Sequence, residues 1–151
     1  MRTSTPDAVL DGLFSGIMAG LVMAGSLLLS GSLRGEAITA ILSSFSLDSG
    51  ASPLSGTLLH LSMSGIYGML FGLGLRYLHR HVDLSPSIWW AVLLGTGYGV
   101  LLQLLAWFIL LPGSGSPLGE QPFLQLSLAH LLYGLTLGVL MYIIGSRRNH
   151  R

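Results

Sequence analysis

The sequence predicts an all-α polytopic membrane protein of four transmembrane helices, on three observations. Hydrophobic residues make up 51% of the chain and charged residues only 9%, with a mean hydropathy of +0.71; a water-soluble domain carries about a quarter charged residues. Four apolar stretches, about 8–30, 55–78, 87–111 and 123–145, each reach the roughly 20 residues that cross a bilayer. Lipid offers backbone N–H and C=O groups no partners, so each stretch has to close its own hydrogen-bond ladder as a helix. Little of the 151 residues is left over, and positions 1–151 read as a single transmembrane domain.

Charge sets the expected orientation. All seven basic residues are arginine. With the N-terminus in the cytoplasm, Arg2, Arg76, Arg80, Arg147, Arg148 and Arg151 fall on the cytoplasmic side and Arg34 alone on the other. The positive-inside bias therefore predicts N-in, C-in. Topology accounts for the arginines without a nucleic-acid surface, which needs a basic patch on one exposed face, so nucleic acid is excluded as a partner. Cysteine is absent, which removes disulfides and thiolate metal ligands. The first segment is read as a true span rather than a cleaved signal, because signal cores run to only about 7–15 apolar residues and this one is longer and contains Asp11.

The first segment opens at Ser4, Pro6 and Asp7, a helix start with an acid in its first turn. Gly12, Gly16 and Gly20 then recur every four residues beside Ser15, Ala19 and Ala24. Small residues at this GxxxG spacing let helices approach closely in lipid, where no hydrophobic force drives them together. Asp11 lies near the cytoplasmic end, as an interfacial acid. In the loop that follows, Ile38, Ile41, Leu42 and Phe45 share one helical face, which predicts a short interfacial helix at about 36–46. Asp48, Ser49, Gly50, Ser52 and Pro53 end it.

The second segment places His60, Ser64, Tyr67 and Phe71 on one face and Gly65, Gly68 and Gly72 on a neighbouring stripe. Ser85 and Pro86 are suited to open the third helix, followed by Trp89 and Trp90 at headgroup depth. Gly95, Gly99, Gln103 and Ala106 keep one face of that helix, and a mid-membrane glutamine has to point into the bundle. The Gly/Ser-rich loop at 112–122 reads as a connector, and the fourth segment carries His130, Tyr133, Gly134 and Gly138. Tyr67-Gly68 with Gly72 matches Tyr133-Gly134 with Gly138, which suggests two pseudo-repeated helix hairpins. In that alignment His130 stands opposite Ser64, so the two histidines are not equivalent.

Counted from the outer ends of their spans, His60, His130 and Gln103 lie at a similar depth of roughly 8–12 Å, at 1.5 Å per residue. Two histidines on facing helices can sandwich a haem b iron, and chlorophyll magnesium takes the same nitrogen. His60 and His130 are therefore candidate axial ligands, with Tyr67, Tyr133 and Gln103 as cofactor-binding neighbours. The competing reading is that the histidines bond across helices to each other, to Gln103 or to serines. No G-x-S-x-G, H-E-x-x-H, P-loop or G-x-G-x-x-G is present, so an enzyme is the less favoured class.

On the H-x-x-Y-G-x-x-x-G that begins at His130, the glycine stripe of the first segment and the Leu-Leu-Gly-x-Gly-Tyr-Gly at 93–99, the chain resembles a loose group of small bacterial four-span membrane proteins of unknown function. The resemblance covers all four spans and implies a fold in a bacterial inner membrane, with no activity and no functional residue. The expected role is a non-catalytic accessory subunit or assembly partner of a larger membrane complex, in electron transport, contacting lipid and other membrane subunits or itself. The alternative is a small dimeric transporter with a polar cavity near Gln103.

Overall fold

A computed structural model describes residues 4–46, 50–82, 87–112 and 117–149. Arg2, Asp48, Ser49, Ser85, Pro86, His150 and Arg151 lie outside these. Four helices are long and apolar enough to cross a membrane: α1 (Thr5–Leu33), α3 (Pro53–His81), α4 (Ile88–Leu105, continued by a π turn at Ala106–Leu110) and α5 (Phe123–Asn149). The short α2 (Ile38–Ser44) joins the first two, and a 3-10 turn (Pro117–Glu120) joins the last two. The described residues include no strand.

Local chemistry sets the helix ends. Ser4 Oγ accepts from the Asp7 amide at 3.2 Å while Asp7 Oδ2 accepts from the Ser4 amide at 3.3 Å, a reciprocal capping box. This starts α1 at Thr5, ahead of the apolar run. Gly35, at φ +82°, ends it: the Glu36 amide reaches the Gly31 carbonyl at 3.1 Å and the Gly35 amide the Ser32 carbonyl at 3.0 Å. Ser52 caps α3 through the Ser55 amide, with Pro53 in the first turn. Ser87 caps α4 through the Trp89 amide at 3.3 Å. The far end of α4 departs from a plain α-helix. The Leu111 amide bonds the Ala106 carbonyl, five residues back, at 2.8 Å. Pro112 follows, has no N–H to donate and crowds the carbonyl four residues earlier, so the last turn is widened.

The bundle is apolar outside and small or polar inside. Phe14, Leu29, Leu93, Phe108, Ile109 and Leu124 are all more than half exposed, whereas Ser15, Ser64 and Gln103 are buried. α1 packs on α3 and α5, and α5 packs on α4, so the order round the bundle is α3, α1, α5, α4. The α1/α3 and α4/α5 pairs meet backbone to backbone. A Cβ at Gly12 would strike the Gly68 carbonyl and one at Gly68 the Gly12 carbonyl; Gly95 and Gly134 stand to each other in the same way. Gly16 faces the Ser64 carbonyl as Gly99 faces that of His130, and Gly72 faces Ala8 as Gly138 faces Ala91.

α2 turns part of its apolar face onto the bundle. Ile41 and Phe45 are buried, the Ile41 side chain fills the space beside Gly31, and the Leu42 carbonyl abuts Gly56. Ile41 and Phe45 thus have their partners within the chain, across the ends of α1 and α3, while Ile38 of the same stripe is 59% exposed.

The close contacts are directly testable. Gly68→Ala and Gly134→Ala drive a methyl into backbone and should each cost at least about 1–3 kcal/mol. Gly74→Ala and Gly97→Ala meet nothing within 4 Å and should be neutral or gain about 0.5–1 kcal/mol from helix propensity. Thermal unfolding in detergent, followed by loss of the monodisperse peak, separates the two groups.

Candidate functional site

α3 and α4, at the two ends of the row, make no extended backbone contact. They are held apart by Tyr98, whose hydroxyl donates to the Tyr67 carbonyl at 2.9 Å and whose ring lies 5.1 Å from that of Phe71. Tyr133 of α5 reaches the same helix, donating to the Ser64 carbonyl at 2.7 Å. These two tyrosines close the end of the gap remote from α2. Between them and α2 remains a cavity of about 180 Å³.

His60 and His130 both line this cavity, with Ser64, Tyr67 and Tyr133 as the other polar-bearing side chains and Met63 and Leu126 among the apolar ones. His60 Nε2 bonds the Gly20 carbonyl of α1 at 3.0 Å, and its ring lies 4.8 Å from Phe45, which follows α2. His130 Nδ1 bonds the Leu126 carbonyl one turn back at 2.9 Å. The π turn contributes Ala106 and Leu110. Leu110 is 40% exposed while lining the cavity, so the space reaches the lipid-facing surface there.

Gln103 is not among the lining residues. It shares a face with Gly95 and Gly99, the face packed on α5, and is only 4% exposed. Among the described residues neither atom of its amide has a hydrogen-bond partner, and the Ser15 hydroxyl is likewise buried and without one there. The sequence groups Gln103 with the histidines by depth; the structure places it on the face packed against α5 and not among the residues that line the cavity.

A polar network above the cavity went unpredicted. Arg34, just past α1, pairs with Glu36 at 2.6 Å, donates to Gln121 Oε1 at 2.8 Å and also bonds Gln125. Gln125 in turn donates to Ser30 Oγ at 2.8 Å. Arg34, Glu36 and Gln121 border a surface vestibule of about 420 Å³. Between the two spaces lies a constriction with no room for water, bordered by Glu36, Ile41, Ser44 and Gln121 on the vestibule side and by Leu27, Phe45 and Leu118 on the cavity side. The signal in the sequence is an arginine, Arg34, two residues from the acid Glu36 in the loop after the first span.

Tetrapyrrole ligation fits poorly. His60 Nε2 is engaged with Gly20, so the pair does not present two free Nε2 atoms. The volume of about 180 Å³ lies below the 300–1,000 Å³ of ordinary small-molecule pockets, and a porphyrin is a large ligand on that scale. Among the described residues, no group of three His, Asp or Glu side chains is placed to hold a metal. The fold and site define a four-helix membrane protein with an apolar, histidine-bearing cavity at one end. The chain matches no family model, no curated protein and no solved structure, and its chemistry is argued from the site alone.

A buried amide without partners costs about 1–3 kcal/mol. Gln103→Met removes that cost at similar volume and should leave thermal stability in detergent unchanged or raised. A clear loss of stability would mean that the amide has a partner beyond the described residues.

Proposed function

We propose that the chain is a non-catalytic, multi-pass subunit of a bacterial inner-membrane assembly, holding a small and mainly apolar molecule in the histidine cavity. The observation that carries this is the cavity itself: apolar walls, a few convergent polar groups, and an opening to the lipid-facing surface at Leu110. Concave, mostly apolar sites with few polar groups are the form ligand sites take. Catalysis draws no support from the geometry, since His60 gives its Nε2 to Gly20 rather than to Ser64 one turn away. The resemblance to small bacterial four-span proteins supports the inner membrane, and the arginine bias supports N-in, C-in, which puts the cavity in the outer leaflet. The matching glycine contacts support two pseudo-repeated hairpins. Electron transport through haem or chlorophyll is the weaker form of this reading, because of the engaged nitrogen and the small volume.

The succession of vestibule, constriction and cavity favours a second reading, a small transporter gated at Leu27, Phe45 and Leu118. Under that reading Ser64→Cys is modified from outside by a membrane-impermeant thiol reagent, whereas the binding reading expects it to be protected.

Extraction in mild detergent tests the leading proposal. The chain should elute in a particle larger than its own micelle, with other subunits, and organic extraction should release a small molecule in near-stoichiometric amount. Ala106→Phe, which fills the cavity from the π turn, should lose that molecule and keep the partners. A free homo-oligomer with nothing bound would overturn the proposal.

A further inference from the structure

The hydrogen bonds already made around the cavity select the chemistry of what it holds, an inference that rests on the ligand-binding reading above. A carbonyl only accepts, so His60 Nε2, 3.0 Å from the Gly20 carbonyl, carries the proton of that ring. His130 Nδ1, 2.9 Å from the Leu126 carbonyl, does the same. Among the described residues no carboxylate lines the cavity to pair an imidazolium, and an unpaired buried charge is costly, so both rings are neutral. Each then keeps one unprotonated nitrogen, Nδ1 of His60 and Nε2 of His130, and neither has a hydrogen-bond partner among the described residues. The Tyr133 proton is likewise committed, to Ser64. The Ser64 and Tyr67 hydroxyls are rotors that donate or accept.

This pattern discriminates between ligand classes. A molecule with only carbonyl or ether oxygens faces two imidazole lone pairs and gains nothing from them. An anion lacks a cationic partner, and an ammonium lacks a carboxylate. A neutral hydroxyl satisfies the site in both directions, donating to an imidazole and accepting from Ser64 or Tyr67. Size narrows the choice further: an apolar cavity of about 150 Å³ accommodates benzene, so about 180 Å³ takes one substituted ring or a short branched head. We propose that the cavity is selective for a neutral, membrane-soluble molecule bearing a hydroxyl on a small head, a phenol, hydroquinol or alcohol, with His130 Nε2 accepting a hydrogen bond from that hydroxyl.

The test uses the full chain in lipid nanodiscs and ¹⁹F NMR of three probes of matched shape, 4-fluorophenol, 4-fluorotoluene and 4-fluoroanisole, each referenced to empty nanodiscs. The phenol should bind saturably and roughly three- to tenfold more tightly than the other two, the range of one net hydrogen bond. His130→Phe should erase that preference while leaving residual binding, and Ala106→Phe should abolish specific binding of all three. Equal binding of the three probes overturns the hydroxyl inference and leaves the apolar cavity standing. No saturable binding of any probe overturns both. Should His130→Phe fail to fold, the ranking of the probes on the unaltered protein still decides the matter.

Discussion

Backbone contact across glycine is the constraint on which the rest of this structure depends. Lipid tails are as apolar as leucine, so helices in a bilayer gain little by hiding leucine from them, and association has to come from close packing. Gly12 against Gly68 and Gly95 against Gly134 supply that packing, each carbonyl occupying the space a Cβ would take. Large apolar side chains are thereby freed to face outward, as Phe14, Leu93 and Phe108 do. The inversion of the usual globular pattern follows from where the glycines stand.

The cavity follows from the point at which the two glycine-locked pairs differ. Gly16 and Gly99 hold corresponding places, each against the carbonyl of the partner helix at Ser64 or His130. The residues just before them, about 100° round the helix, are Ser15 and Tyr98. Ser15 is small, fully buried, and α1 packs closely on α5. Tyr98 is large, and α4 is held off α3 by its ring and hydroxyl. At matching positions one pair thus carries a small buried serine and the other a tyrosine that spans from α4 to α3. The gap is where His60 and His130 meet.

Legibility in the sequence tracked how local the cause was. The spans were plain, because apolar length alone decides them, and Ser4 with Asp7 announced the start of α1 three residues ahead of the apolar run. The spacing of Gln103 from Gly95 and Gly99 already put it on the packing face, where it is buried; depth alone, which grouped it with the histidines, carries no information about which face of a helix a residue occupies. The π turn had no signal except Pro112, because a hydrogen bond shifted by one residue leaves composition unchanged. The burial of Ile41 and Phe45 was hidden for another reason. An apolar stripe on seven residues reads alike whether lipid or the chain's own helices cover it.

That short helix bears on how the site is reached. Seven residues do not hold a helix unaided, so the place of α2 is owed to Ile41 and Phe45 beneath it and to the Arg34 clamp beside it. Entry from the vestibule would require Leu27, Phe45 and Leu118, on three different segments, to part together. Entry from the lipid side requires no such coordination: α3 and α4 are already apart and Leu110 is already exposed. The widened turn assists, since Ala106 and Leu110 stand on backbone whose hydrogen bonds span five residues instead of four. Under the proposed binding reading, a molecule dissolved in the bilayer therefore has the shorter path to the histidines, while Arg34 ties the segment just before α2, through Glu36, to Gln121 and Gln125.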